Sequence, residues 1–149
     1  MLIIMLSTQL SRLVLEGYFN RIEMIIIKLV YIANFIVAGY IGIISLFFPN
    51  LSSTTIFQNS YPTTDTIRLV GCLWLAIAIL SLLGLWRPIT FSPVLLVQLI
   101  YKGTWLLAVV APALKNHEKF PTGMATFFVI WCLVLPFVIP WTSWINNQH

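Results

Sequence analysis

Four long apolar stretches joined by short polar ones restrict this chain more than any other feature of it. They run from about residue 24 to 48, 66 to 86, 89 to 114 and 122 to 141. The first is interrupted only by Lys28 near its start and Asn34 inside, the second has Arg68 near its entrance, and the third contains Lys102. Each supplies the ~20 residues that cross ~30 Å of hydrocarbon at ~1.5 Å per residue. Backbone inside hydrocarbon must satisfy its own hydrogen bonds, so stretches of this length are expected to be helices, not barrel strands. The expected fold class is all-α: an integral membrane four-helix bundle over residues 24–149.

Composition closes the soluble alternative. A soluble domain carries roughly 25% charged residues to face water, whereas this chain has 8% against 60% hydrophobic. Its 8 Lys and Arg and 4 Asp and Glu cannot coat a globule of 149 residues. The basic residues are scattered singly, without a patch or interleaved aromatics, which excludes nucleic acid as a partner. Isolated basic residues at helix ends suit anionic headgroups, so membrane lipids are the expected partners.

Residues 1–23 are expected to form an N-terminal interfacial segment. Leu10 to Glu23 reads as an amphipathic helix, with Arg12, Glu16, Arg21 and Glu23 toward water and Leu13, Val14 and Tyr18 toward the membrane. The apolar run Leu2 to Leu6 makes a poor signal peptide, since no positive side chain precedes it and no small-residue cleavage site comes after it. Met24 is an alternative start of the chain.

Pro49 to Asp65, rich in Ser, Thr and Asn with Pro62 near its end, is expected as the one sizeable loop. Arg87-Pro88 makes a tight turn that sets the second and third helices antiparallel, and Lys115 to Pro121 is a short charged turn. An even number of spans puts both termini on one side. Arg12, Arg21, Lys28 and Arg87 collect there, against Arg68, Lys115 and Lys119 opposite, which favours cytoplasmic termini. Trp86, Trp141 and Trp144 fall on that same face, as an interfacial belt would place them.

In lipid the contact face of a helix is marked by small and polar residues. That rule selects Tyr31, Asn34, Ala38, Gly42 and Ser45 on the first helix, and Gly71, Trp74, Ala78 and Ser81 on the second. It selects Gln98, Lys102 and Trp105 on the third, and Ala125, Val129, Cys132 and Pro136 on the fourth. Pro136 and Pro140 are expected to bend the last turns.

Lys102 is the costly residue. A lysine at the centre of a span carries a penalty of roughly 2.5–3.5 kcal/mol, and no Asp or Glu lies within any span to pair with it. Three outcomes relieve the cost: the amine is carried uncharged, its flexible stem reaches an interface near Lys115, or an anionic group binds it. Cation–π contact with tryptophans offsets part of it without a ligand. Counted along the helices, Trp74, Lys102, Trp105 and Trp131 fall within ~6 Å of one another in depth. Arg68 lies nearer the mouth on the same side, and Gln98 shares the face of Lys102. Converging faces would give an aromatic-walled cavity with a basic floor, suited to a quinone-like head, a lipid phosphate or a small acid.

Other chemistry is missing from the pattern. His117 and His149 both lie outside the spans, which excludes paired haem ligation within them. No carboxylate pair, Gly-rich phosphate loop or nucleophile–base pair is present. Cys72 and Cys132 sit in different stretches and form no metal or dithiol motif. No catalytic residue, metal site or cofactor is expected, beyond a quinone or lipid as ligand.

The layout resembles the DoxX-like group of small four-helix membrane proteins. The likeness is carried by Leu46-Phe47-Phe48-Pro49 ending the first span, Arg68-Leu69-Val70-Gly71 opening the second, and Leu82-Leu83-Gly84-Leu85-Trp86-Arg87-Pro88 closing it. It covers about residues 30–115. The resemblance implies a bacterial cytoplasmic-membrane protein, in a group some of whose members are linked to quinone-dependent oxidation of sulfur compounds or to oxidative-stress complexes. The leading expectation for function is a non-catalytic accessory or assembly component of a membrane complex, with complex subunits or further copies of itself as partners. The alternatives are a binding module for a quinone-like or anionic amphiphile around Lys102, and a small oligomeric permease.

Overall fold

A computed structural model describes the backbone of residues 2–61 and 65–146 and the side chains of Arg21 to Ile145 over that range, with Gln9, Val14, Leu15 and Tyr18 before them. The described residues are helical throughout, with short turns between. The expected outward and inward placement of Arg12, Leu13 and Glu16, and the positions of Pro62 and His149, fall outside the described residues.

The first helix, α1, runs unbroken from Leu2 to Phe47. No proline interrupts it before Pro49, so the backbone is free to stay helical from Leu2 onward. Its 46 residues span about 69 Å, roughly twice a hydrocarbon layer. The part from Arg21 to Phe47 is long and apolar enough to cross a membrane, as are Asp65–Gly84 and Pro88–Asn116. Thr122–Val138 is apolar but shorter.

Proline sets the junctions. A residue before proline is pushed out of helical geometry, while proline itself opens the next helix without losing a hydrogen bond. Phe48, at φ −128° and ψ 59°, ends α1, and Pro49 begins α2 (Pro49–Thr55). Arg87, at φ −130° and ψ 75°, repeats the device after α3 (Asp65–Gly84) and ahead of α4 (Pro88–Phe91). The third apolar stretch continues as α5 (Pro93–Trp105), a π-helical turn (Leu106–Val110) and α6 (Ala111–Asn116). Pro112 has no N–H for the Ala108 carbonyl, and its ring crowds that carbonyl, so the turn widens there. The last stretch is α7 (Thr122–Val138), followed by α8 (Trp141–Asn146). Pro136 sits inside α7, and the helix stops at Ile139, which precedes Pro140 and is extended. The Pro136 carbonyl, deprived of an N–H from Pro140, accepts one from the Trp141 indole at 2.8 Å.

The loop expected over Pro49–Asp65 is half helical. The Thr54 and Thr55 hydroxyls donate back to the Leu51 carbonyl at 3.0 and 2.6 Å, and the Ser45 and Ser52 hydroxyls pair at 2.7 Å. A polar composition concealed a segment that buries Ser52, Ser53 and Phe57 against the helix ends. Beyond it, Gln58 Oε1 accepts from the Thr122 backbone N–H at 2.9 Å and its hydroxyl at 3.2 Å, and so caps α7 from far away in sequence.

Helices α1 and α3 cross almost backbone to backbone. A Cβ added to Gly42 would lie 2.8 Å from the Leu75 nitrogen, and one on Gly71 would lie 2.8 Å from the Leu46 nitrogen. Farther along, Gly84 makes room for the Tyr31 ring, whose hydroxyl donates to the Pro88 carbonyl at 2.8 Å. The stripes named from sequence on these two helices, Tyr31 to Ser45 and Gly71 to Ser81, are buried, although Trp74 turns toward α5 and α7 and not into this seam.

On α7 the expected face is displaced. Val129 is 46% exposed, and Cys132 and Pro136 are only half-buried, while Phe128, Trp131 and Leu135 join Ala125 inside. Small residues mark a face only where two backbones come close. Here α7 is held off its neighbours by rings, so the large side chains face inward.

The two kinds of contact respond differently to substitution. Gly71→Val, which would meet backbone that cannot yield, should cost about 3 kcal/mol. Gly103→Ala, with nothing within 4 Å of its added methyl, should be neutral or slightly stabilising. Thermal unfolding of the two variants in the same detergent checks the contrast.

Candidate functional site

Gln98 and Lys102 lie one turn apart on α5 and so share a face. The Lys102 ammonium nitrogen donates to Gln98 Oε1 at 2.5 Å, and the lysine is 1% exposed. The side chain therefore turns into the interior toward Gln98 and does not extend toward Lys115.

Five aromatic rings enclose the amine. The Trp131 centroid is 5.0 Å away, Tyr101 5.2 Å, Phe127 and Phe128 5.8 Å each, and Trp74 5.9 Å. They come from α3, α5 and α7, so the cage joins three helices. The rings also hold one another: Trp74 stacks on Phe128 at 6.0 Å, and Tyr101 meets Phe128 edge-on at 5.7 Å. Phe127 meets Trp131 edge-on at 5.8 Å.

Magnitudes show how much of the cost of a charged amine such surroundings offset. Removing an ammonium from water costs several kcal/mol even after relaxation. Each ring within about 6 Å returns ~0.5–2 kcal/mol, and a hydrogen bond from a charged donor about 1.5–3 kcal/mol. The sums are comparable. The only ion pair among the described side chains is Arg68 with Asp65 at 3.4 Å, on the surface.

Of the residues singled out from sequence, Lys102, Gln98, Trp74 and Trp131 are brought together. Trp105 is not: its ring packs edge-on against Phe128 at 5.2 Å, behind the cage. Arg68 stands apart, half-exposed beside Asp65. Tyr101, Phe127 and Phe128 belong to the cage and were not anticipated. Their signal was present, since Tyr101 adjoins Lys102 in sequence and Phe127-Phe128 precede Trp131 by one turn.

The empty space is beside the cage, not within it. A partly open cavity of ≈ 1070 Å³ runs between α3 and α5, with Val70 and Ile77 on one wall and Val94 and Val97 on the other. Trp74, Tyr101 and Phe128 form part of its lining, so three rings separate the groove from the amine. Its size is at the upper end for sites that bury a small organic ligand. Among the described residues, Gln98 Nε2, the Tyr101 hydroxyl, Asn34 Nδ2 and the Ser81 hydroxyl are buried without a hydrogen-bond partner. Among the described residues no three His, Cys, Asp or Glu side chains come together to hold a metal ion.

No family model, curated protein or solved structure matches this chain. The groove and the cage are therefore the features that bear on function.

Gln98 is the one side chain accepting from the Lys102 amine among the described residues. Gln98→Leu should cost about 1.5–3 kcal/mol by leaving that donor unpaired. Adding Lys102→Met should restore most of it, since a buried charge replaced together with its partner is often neutral or better. Unfolding of the two single variants and the double variant, read as a cycle, tests this.

Proposed function

We propose that this chain is an integral membrane four-helix bundle that takes an amphiphilic ligand sideways from the bilayer into the groove between α3 and α5. The groove carries this reading: it is large, almost wholly apolar, and open along one side. A cavity of that kind suits a flat or chain-like ligand already dissolved in hydrocarbon, such as a quinone-like molecule or a lipid. Membrane insertion is supported by the outward side chains of the long helices, including Ile36 at 61%, Leu73 at 59% and Leu107 at 75% exposed. In water such a surface would aggregate. The 17 residues of α7 are at the short end of what spans a bilayer.

In this proposal the spans alternate in direction, both termini face the cytoplasm, and the host membrane is bacterial, as the DoxX-like layout implies. The protein acts by binding, without catalysing a reaction. A second reading, as an accessory subunit of a larger assembly, is favoured by α1, which extends well ahead of Arg21 with Val14, Leu15 and Tyr18 exposed.

Mild-detergent purification followed by organic extraction and mass spectrometry should recover a stoichiometric amphiphile from the protein. Ala76→Phe, which fills the groove from an exposed position on α3, should abolish its recovery while the unfolding temperature stays within a few degrees. Equal recovery from both proteins would remove the binding role. Topology has its own check: cysteines placed at Asn59 and Lys119 should label from one side of sealed vesicles, and one at Arg87 from the other.

A further inference from the structure

A second cavity, of ≈ 420 Å³, shares no lining residue with the groove. Glu23 and Ile26 of α1 form one wall, and Phe137 to Ser143, where α7 turns into α8, form the other. Glu23 stands at the opening of the apolar stretch Arg21–Phe47, so the cavity lies at the depth of lipid headgroups and not of their tails.

Three features of its wall favour a cation that donates hydrogen bonds. Glu23 contributes an exposed carboxylate. Trp141 contributes an indole ring, whose face attracts an ammonium. The third is the C-terminus of α7, where the helix dipole is negative and the last carbonyls have no intrahelical donor. Pro140 has no N–H, and the Trp141 backbone N–H turns to the Ile139 carbonyl at 2.9 Å. The Phe137 carbonyl loses both of its usual donors in this way. Neither it nor the Val138 carbonyl accepts a hydrogen bond among the described residues. No lysine or arginine lines the cavity, and Arg21, Lys28 and Arg87, the nearest in sequence, are exposed outside its lining. Deeper along α7 the surface becomes apolar. Ile130, Leu133 and Phe137 recur at helical spacing and are 54%, 65% and 90% exposed, one outward stripe leading from the cavity into the hydrocarbon.

We infer that this cavity binds the head of an ethanolamine phospholipid, with its ammonium among Glu23, the Trp141 ring and the free α7 carbonyls and an acyl chain along the Ile130–Leu133–Phe137 stripe. The inference rests on the membrane insertion proposed above and not on the groove. The lipid's polarity runs the right way, head at the interface and tail toward the midplane. A primary ammonium has N–H donors for the carboxylate and the carbonyls. A choline head keeps the charge and the ring contact but has no N–H, and a glycerol head has no cation. The Thr142 and Ser143 hydroxyls, in the same wall, are donors for the phosphate.

Competition between headgroups tests this. The full chain in mild detergent is titrated with dioleoyl phosphatidylethanolamine, its N-methylated steps up to phosphatidylcholine, and phosphatidylglycerol, and native mass spectrometry reads the bound fraction. The ethanolamine lipid should half-saturate at about fivefold lower concentration than the choline and glycerol lipids, the scale of a partly exposed ion pair. Each N-methylation should remove part of that difference. Glu23→Gln should bring the three lipids together, and Glu23→Lys should put phosphatidylglycerol first. Thr142→Trp, which fills the cavity from an exposed position, should abolish the preference while unfolding is unchanged. Equal half-saturation in the wild type, a preference that survives either Glu23→Gln or Thr142→Trp, or competition by free phosphoethanolamine as strong as by the lipid would each overturn the assignment. Vesicle labelling of the cysteines placed at Asn59, Lys119 and Arg87 decides membrane insertion separately, so the two failures are told apart.

Discussion

An ammonium taken out of water has to be surrounded by groups that favour positive charge, and the positions of three helices depend on how this chain meets that demand at Lys102. Gln98 supplies the one hydrogen-bond acceptor from the same helix. Everything else comes from rings, and five of them cannot come from one helix. Trp74 is drawn from α3 and Phe127, Phe128 and Trp131 from α7, so the cage acts as the clasp between elements distant in sequence. It also dictates which way α7 faces. Rings that must reach the amine point inward, and Val129 is turned out in consequence.

The groove arises from the same geometry. Between α1 and α3 the glycines at 42 and 71 let two backbones touch, and no space is left. Between α3 and α5 the spacer is Trp74 against Tyr101, with ring centroids 6.3 Å apart. Aromatic spacers hold these helices apart, and the gap continues beyond the rings as the ≈ 1070 Å³ channel. The cage and the channel are thus two sides of one wall.

Much of this was legible beforehand for a simple reason: helix existence depends on local composition. The long apolar stretches, the proline junctions at 48–49 and 87–88, and the small-residue seams on α1 and α3 can each be read from a few neighbouring residues. The candidate site was legible only in depth. Counting turns placed Trp74, Lys102 and Trp131 at one level, but it assigned Trp105 and Arg68 to the site as well, because rise along an axis says nothing of rotation about it. The half-helical connection at Pro49–Thr55 escaped for a different reason, since its serines and threonines look like loop residues until their hydroxyls bond back to the helix carbonyls.

By itself the sequence determined that the chain would be helical, that helices would break at Phe48-Pro49 and Arg87-Pro88, and that one lysine would fall in the middle of an apolar stretch. Those outcomes depend on backbone hydrogen bonding and on proline geometry, which act between near neighbours. Only the tertiary structure decided that the lysine would be wrapped by rings and not matched by an anion, and that the open space would fall beside the wrapping. Those outcomes depend on how helices rotate and how far apart they stand. Rotation and spacing are set by the volumes of side chains meeting across the interior, a property of pairs that no single stretch of chain contains.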